Sequence, residues 1–450
     1  MDVKIGENVA PMSPRMAADR IPLAAAAMVF GAHQESWHEK KDAMSVMVGG
    51  EEMVFHVSDY GVARAVADLI GREWQGDKVN VGDMVVPMPS LSMKVVRLCQ
   101  DRYRSITDTR AGKMGIVMLK DKGASGWWRM AYPARFMETD GWYVDISAAE
   151  VGMDQLMEYD TIHVQRVHDW ESHAMLRKLK QAGKHIVYDI DDDLFNITPD
   201  NPAWHIIGRD HQEAAAECMR LADVVVASTD ELADRITSVV TDVDMVTVIP
   251  NALDLDDGWL PTALTGSPDD IKRVLWTGGA SHAVDWEQCA GAVEEIMDER
   301  NDVHLVILGF LPPAVERMAE RFADRIEFLG FRDPDTYMKI LHHVRAEAAL
   351  APLRSTPFNA CKTPIKFLEY SCAGIPTVAS DCLPYDDVID DKKSGRLVET
   401  PDEWKKALEW YLDHQSGRRE AVDAARKTCR DRFDVKAAAK HWEQVLCSSE

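Results

Sequence analysis

Lys362, Lys366 and Glu369 are spaced four and three residues apart. On a helix those positions share one face, so two ammonium groups and a carboxylate would converge on one spot. Such a set suits a nucleoside diphosphate: the lysines neutralise phosphate oxygens, and the carboxylate accepts hydrogen bonds from ribose hydroxyls. The plain alternative is a solvated surface pair worth about 0.3–0.5 kcal/mol. The flanking elements must present the set. Ala346 to Leu353 is an apolar run of strand length. Thr363 and Pro364 read as N-cap and first helical residue, and Gly374-Ile375-Pro376 reads as the stop. A strand that delivers a helix N-terminus to a sheet edge makes an anion site, because free N–H groups and the positive dipole end point outward. Thr363 and Ile365 would lie on that first turn.

Three other stretches carry polar chemistry. His185 to Tyr188 is a buried-type strand running into Asp189, Asp191, Asp192 and Asp193. Four carboxylates at a strand end repel one another, so they must meet a cation, a hydroxyl or solvent. A metal at Asp189 and Asp191 is the minority alternative, and a solvated acidic loop is another. Arg273 to Thr277 is a strand leaving through Gly278, Gly279, Ser281 and His282, where glycines permit close backbone approach to phosphate. Met114 to Leu119 leaves through Gly123 to Gly126 into Trp127-Trp128-Arg129, either a cleft loop or a tight surface turn.

Length and charge bound the rest. At 450 residues, more than one core is expected. The net charge of −24 repels phosphate polymers, so no stable nucleic-acid binding is expected. Eight cysteines without a Cys-x-x-Cys pair give no zinc or disulfide framework, which reads as a cytoplasmic protein with reduced thiols. The apolar run from Ile21 to Ala32 lacks a positive leader, and no run approaches the roughly 20 residues of a membrane span.

From Lys113 the pattern alternates strand and helix, which predicts parallel sheets covered on both faces. Residues 113–254 form one Rossmann-like domain, 255–270 a linker and 271–433 a second such domain, and 434–450 carry a final helix. Pro202 to Leu221 reads as one long helix. Residues 1–112 read as a small α+β appendage of unknown role, with a hairpin around Gly49-Gly50 and a helix from Val62 to Ile70.

The run Glu369, Gly374, Pro376, Val378, Ala379, Ser380 resembles the donor signature of GT-B glycosyltransferases of the GT4-like group (glycosyltransferase family 1 domain), and Lys362, Lys366, Glu369 and Tyr370 match a subgroup pattern. Pro250-Asn251-Ala252-Leu253-Asp254 resembles the family's close of the N-domain. The departure is Cys361, where the family usually has a glutamate that touches the donor hexose. The resemblance implies a GT-B fold, two doubly wound parallel-sheet domains facing a cleft. It implies a retaining enzyme that moves a hexose-type sugar from a nucleotide diphosphate sugar, UDP- or GDP-linked, to an acceptor hydroxyl on a glycan, protein, small molecule or modified base. No obligatory metal is implied, with manganese or magnesium left open. Lys366, Lys362 and Asp191 would serve the chemistry. Glu369, Gly278, Gly279, Ser281, His282, Phe331, Arg332, Thr363 and Ile365 would bind the donor, the Gly330-Phe331-Arg332 loop at its base. Gly126, Arg129, Asp189 and Asp192 would face the acceptor side of the cleft. The final helix would brace the N-domain. A nucleotide-sugar epimerase or phosphorylase, and a silent scaffold, are the rival readings.

Overall fold

A computed structural model describes residues 38–40, 43–48, 51–56, 114–120, 123–137, 141–147, 151–255 and 270–447. The chain divides into two units, Met1–Ala111 and Gly112–Glu450. In the first, β1 (His38–Lys40), β2 (Ala43–Val48) and β3 (Glu51–His56) form an antiparallel sheet, with Val48 opposite Glu51 as expected for a hairpin. The turn at 49–50, the helix expected over 62–70 and the apolar run at 21–32 lie outside the described residues.

The second unit carries two six-stranded, wholly parallel sheets. One comprises β4 (Met114–Leu119), β5 (Trp142–Ser147), β6 (Thr161–Gln165), β7 (His185–Ile190), β8 (Val224–Ala227) and β9 (Val246–Val248), in the order β5-β4-β6-β7-β8-β9. The other comprises β10 (Lys272–Gly278), β11 (Val303–Gly309), β12 (Ile326–Phe328), β13 (Ala348–Ala351), β14 (Thr377–Ser380) and β15 (Arg396–Val398), in the order β12-β11-β10-β13-β14-β15. Central strands such as β8 and β13 are buried along their whole length, which is why they read as unbroken apolar runs without alternation. In such sheets the strand order reverses at a switch point, here between β10 and β13, and between β4 and β6. Ligands bind beyond the carboxyl ends of those strands.

One apolar cluster runs from Ile116 and Trp128 through Leu253 and Trp442 to Phe367 and Leu368, so both sheets share a continuous core. The Val435–Leu446 helix packs on the first sheet. Its Leu446 carbonyl accepts from Thr161 Oγ1 at 2.8 Å, and the Trp442 ring lies 4.8 Å from His163.

Two local expectations are corrected. Pro202 to Leu221 is not one helix: a 3-10 turn at Pro202–His205 ends before Gly208, whose extended backbone caps the Arg209–Leu221 helix. The stretch after Gly123 is no free turn either. Ala124–Gly126 is helical and leads into a π-helical turn at Trp127–Ala131, fixed by Trp127 stacking on Tyr132 at 4.4 Å.

Candidate functional site

The carboxyl ends of both sheets enclose a cleft of about 360 Å³. Its second-domain wall starts with the Ile365–Ala373 helix. The helix forms because its buried residues pack all round it, and it stops at Gly374, whose φ of 77° needs no Cβ. Arg426 adds hydrogen bonds to the carbonyls of Ser371 and Cys372 at 3.0 and 2.8 Å. At the other end the expected cap is corrected: Pro364, not Thr363, precedes the first helical residue. Ile365 N–H turns back onto the Thr363 carbonyl at 2.8 Å, while the Thr363 hydroxyl accepts from Asn251 of the first domain at 3.0 Å. No side chain caps this N-terminus, and Thr363, Ile365 and Lys366 line the cleft. An uncapped helix start facing a cavity leaves N–H groups that can accept an anion as partner.

Lys362, Lys366 and Glu369 all line that cleft. Burial, opposed by Asp285 and Glu369, pushes the Lys366 ammonium down to about 8. Burial pushes the Glu369 carboxyl up to about 7 even though Tyr337 donates to its Oε2 at 2.6 Å. Tyr370, adjacent in sequence, points elsewhere: its hydroxyl meets Thr277 and the Leu350 carbonyl at the strand ends.

Gly278, Gly279, Ser281 and His282, at the exit of β10, line the cleft. Close packing dictates glycine beside them. Gly309 has φ of 116°, and a Cβ there would sit 2.3 Å from the Gly278 carbonyl oxygen. His282 Nδ1 lies 3.0 Å from Asp285 Oδ2; burial and the Lys366 charge nevertheless push the imidazole down to about 4. Phe331 and Arg332 stand at the rim, exposed, and Arg332 donates to the Phe331 carbonyl.

The first-domain wall departs most from expectation. Asp191 and Asp192 line the cleft with Ser125, but Asp189, Arg129 and Gly126 do not. Asp189 and Arg129 are fully buried behind it as a bidentate pair, with Nη2 and Nε reaching Asp189 Oδ1 at 2.7 and 3.0 Å. Arg129 Nη1 also donates to the Ile249 carbonyl at 2.6 Å and Asn251 Oδ1 at 3.0 Å, locking the turn that closes the first domain. Burial pushes Asp189 up to about 6 against the pull of Arg129. Gly126 is buried inside its helical turn.

Every carboxylate of the acidic run meets a protein cation. Arg166 lies 3.3 Å from Asp191 and 2.9 Å from Asp192, Lys362 reaches Asp192 at 2.9 Å across the cleft, and Arg235 is 3.4 Å from Asp193. Burial raises Asp192, but Lys362 and Arg166 outweigh it and hold the carboxyl below its ordinary value. Asp189 is therefore paired with Arg129 behind the cleft rather than facing it beside Asp191. Among the described residues no group of three or more His, Cys, Asp or Glu side chains is disposed to hold a metal ion.

Cys361 is buried in the apolar cluster of the first domain rather than lining the cleft, and its carbonyl accepts from Thr229 Oγ1 at 2.9 Å. Arg166, Tyr337, Asn251 and Arg354 were not anticipated as site residues. A lone arginine directly after β6, facing an acidic run one strand away, was the available signal for Arg166.

Residues 271–414 match the model of the family Glycosyl transferases group 1. Among solved structures, Anabaena HepE in complex with UDP-glucose is 15% identical with a TM-score of 0.56, over 75% of this chain and 100% of that one. Sucrose-phosphate synthase from Thermosynechococcus elongatus is 15% identical with a TM-score of 0.53, over 74% and 98%. A mutant of S. aureus TarM in complex with Fondaparinux, alpha-GlcNAc-glycerol and UDP is 14% identical with a TM-score of 0.51, over 64% of this chain; the match spans 55% of TarM. At these identities the likeness is one of fold, and that fold is GT-B. No curated protein matches the sequence. No helix among the described residues is long and apolar enough to cross a membrane.

Proposed function

We propose that this chain is a glycosyltransferase that takes a hexose from a nucleotide diphosphate sugar and passes it to an acceptor hydroxyl with retention of configuration. The observation that carries the reading is the convergence of Lys362, Lys366 and Glu369 at an uncapped helix start inside a cleft between two Rossmann-like sheets. The family match over this domain and the UDP-glucose complex of HepE support a UDP-sugar as donor.

In this reading Glu369, held by Tyr337, accepts from the ribose, and the Gly330-Phe331-Arg332 loop meets the base. The diphosphate lies on the helix start and the Gly278-Gly279 loop. As the anomeric C–O bond breaks, charge develops on the departing phosphate. Lys366, Lys362 and the helix N–H groups meet it there, as donors held in place before the bond breaks. The acceptor oxygen bonds to the anomeric carbon on the face the phosphate leaves, and its proton passes to a phosphate oxygen. Asp191 and Asp192, steadied by Arg166, are placed for sugar or acceptor hydroxyls.

The test is thermal stabilisation of the full chain by UDP-, GDP-, ADP- and dTDP-sugars, with and without manganese. A ligand at 100 times its dissociation constant adds about 2.7 kcal/mol to the folded state. A rise with the UDP-sugars that Lys366→Ala abolishes is the expected result. No rise with any member of the panel refutes the donor assignment.

A further inference from the structure

Arg354, on the loop leaving β13, is tied to both domains at once. Its guanidinium pairs with Asp200 of the first domain, and its Nε lies 3.4 Å from Asp285 Oδ1 in the second. Its backbone N–H donates to the same Oδ1 at 3.0 Å. Asp285 is buried, and its other oxygen faces His282 Nδ1 at 3.0 Å. Burial raises the Asp285 carboxyl, but the contacts with His282 and with the Arg354 N–H outweigh it and hold the group below its ordinary value. An ionised carboxylate accepts only, so Nδ1 carries the proton of the neutral ring. Nε2 of this cleft-lining side chain is then an acceptor. A lone pair there repels phosphate oxygens and takes the hydrogen of a hydroxyl.

We propose that Arg354 is a positioning residue that links the contact between the two domains to the tautomer of His282, setting its Nε2 to accept from a hydroxyl of the bound sugar. The hydroxyl role rests on the nucleotide-sugar reading of the cleft; the linkage itself does not.

The charges that face His282 are Asp285 on its own loop, Lys366 and Lys362 on the helix start and Asp192 from the first domain. Arg354 adds a guanidinium behind Asp285. Removing it leaves the Asp285 charge wholly to His282, which favours protonation of the ring. Removing Asp200 leaves the guanidinium wholly to Asp285, which disfavours it. Mere loosening of the site admits water and favours protonation in both variants, so the two substitutions separate linkage from loosening.

The experiment uses the full chain with ¹⁵N-labelled histidine, the His282 signal identified by its loss in His282→Gln. At pH 7 the wild-type ring is expected as the Nδ1–H tautomer, without titration between pH 7 and 5. Arg354→Ala, or Arg354→Gln should the alanine variant not fold, is expected to titrate within that range. Asp200→Asn is expected to remain untitrated. A wild-type Nε2–H tautomer, no titration in the Arg354 variant, or titration in both variants overturns the proposal. Calorimetry with UDP and UDP-glucose at pH 5, where the variant's ring is protonated and the wild-type ring neutral, then reads the sugar contact: relative to wild type, the Arg354 variant should keep its UDP affinity and lose about tenfold for UDP-glucose. Absence of any UDP response in the wild type would sink the donor reading and the hydroxyl role with it, while the tautomer result still decides the linkage.

Discussion

Donor affinity should be bell-shaped in pH, because the two groups assigned to opposite ends of the nucleotide are displaced toward each other. Burial brings Glu369 up to about 7 and Lys366 down to about 8. Ribose hydroxyls need the ionised carboxylate, present above pH 7, and phosphate needs the ammonium, present below pH 8. At pH 6 about one tenth of Glu369 is ionised, and at pH 9 about one tenth of Lys366 is protonated. Each deficit lowers affinity about sixfold, about 1.1 kcal/mol, relative to the maximum between them. UDP-glucose is the suitable probe, since its diphosphate diester keeps its charge across the range. Calorimetry at each pH gives the affinity. The same titration in buffers of different ionisation enthalpy counts protons, which should be taken up by Lys366 above pH 8 and released from Glu369 below pH 7. Glu369→Gln should flatten the acid limb, and Lys366→Met the alkaline one. An affinity that stays level from pH 6 to 9 in the wild type, or limbs that survive both substitutions, would refute the assignment of these side chains to the donor.

Two further outcomes follow from burial. Arg129→Met leaves the Asp189 carboxylate without its partner in the interior and should cost about 3–5 kcal/mol in urea unfolding, whereas a loss below about 1 kcal/mol would mean that the site admits water. Cys361→Glu restores the residue usual in related signatures, yet here it would drive a carboxylate into the apolar cluster of the first domain. It should therefore lower the melting temperature by several degrees and reduce nucleotide stabilisation rather than improve it, as a thermal scan with UDP would show.

The signature helix was legible because its information is local. Three residues at helical spacing, Gly374 after the last turn and a strand before the first need no knowledge of the rest of the chain. The Gly278-Gly279 loop was legible for the same reason. What escaped was pairing at long range. Asp189 and Asp191 look alike in sequence, but β7 ends at Ile190, so Asp189 is held within the strand while Asp191 lies on the chain beyond it. One meets Arg129 in the interior and the other meets Arg166 at the cleft. Arg166 has a φ of 49°, which marks the point where the chain leaves β6. Tyr337 lies 32 residues before Glu369 and Arg354 lies 154 after Asp200, separations that only the two-sheet topology closes. Cys361 stood out in sequence as a departure. Its destination in the neighbouring domain's core could not be read from it.

The docking of the Val435–Leu446 helix on the first sheet has a consequence for synthesis. Thr161 completes its hydrogen bond with a carbonyl 285 residues downstream, and Trp442 closes over His163 and over the guanidinium of Arg129 at 5.2 Å. While the second sheet is still being made on the ribosome, the first must wait with that face bare and the Arg129–Asp189 pair open to water on one side. The two halves are therefore not independent folding units in the order of translation. The half made first is the half finished last, and the nascent chain carries an exposed apolar surface for the whole of that interval, which is when chaperones would be expected to hold it.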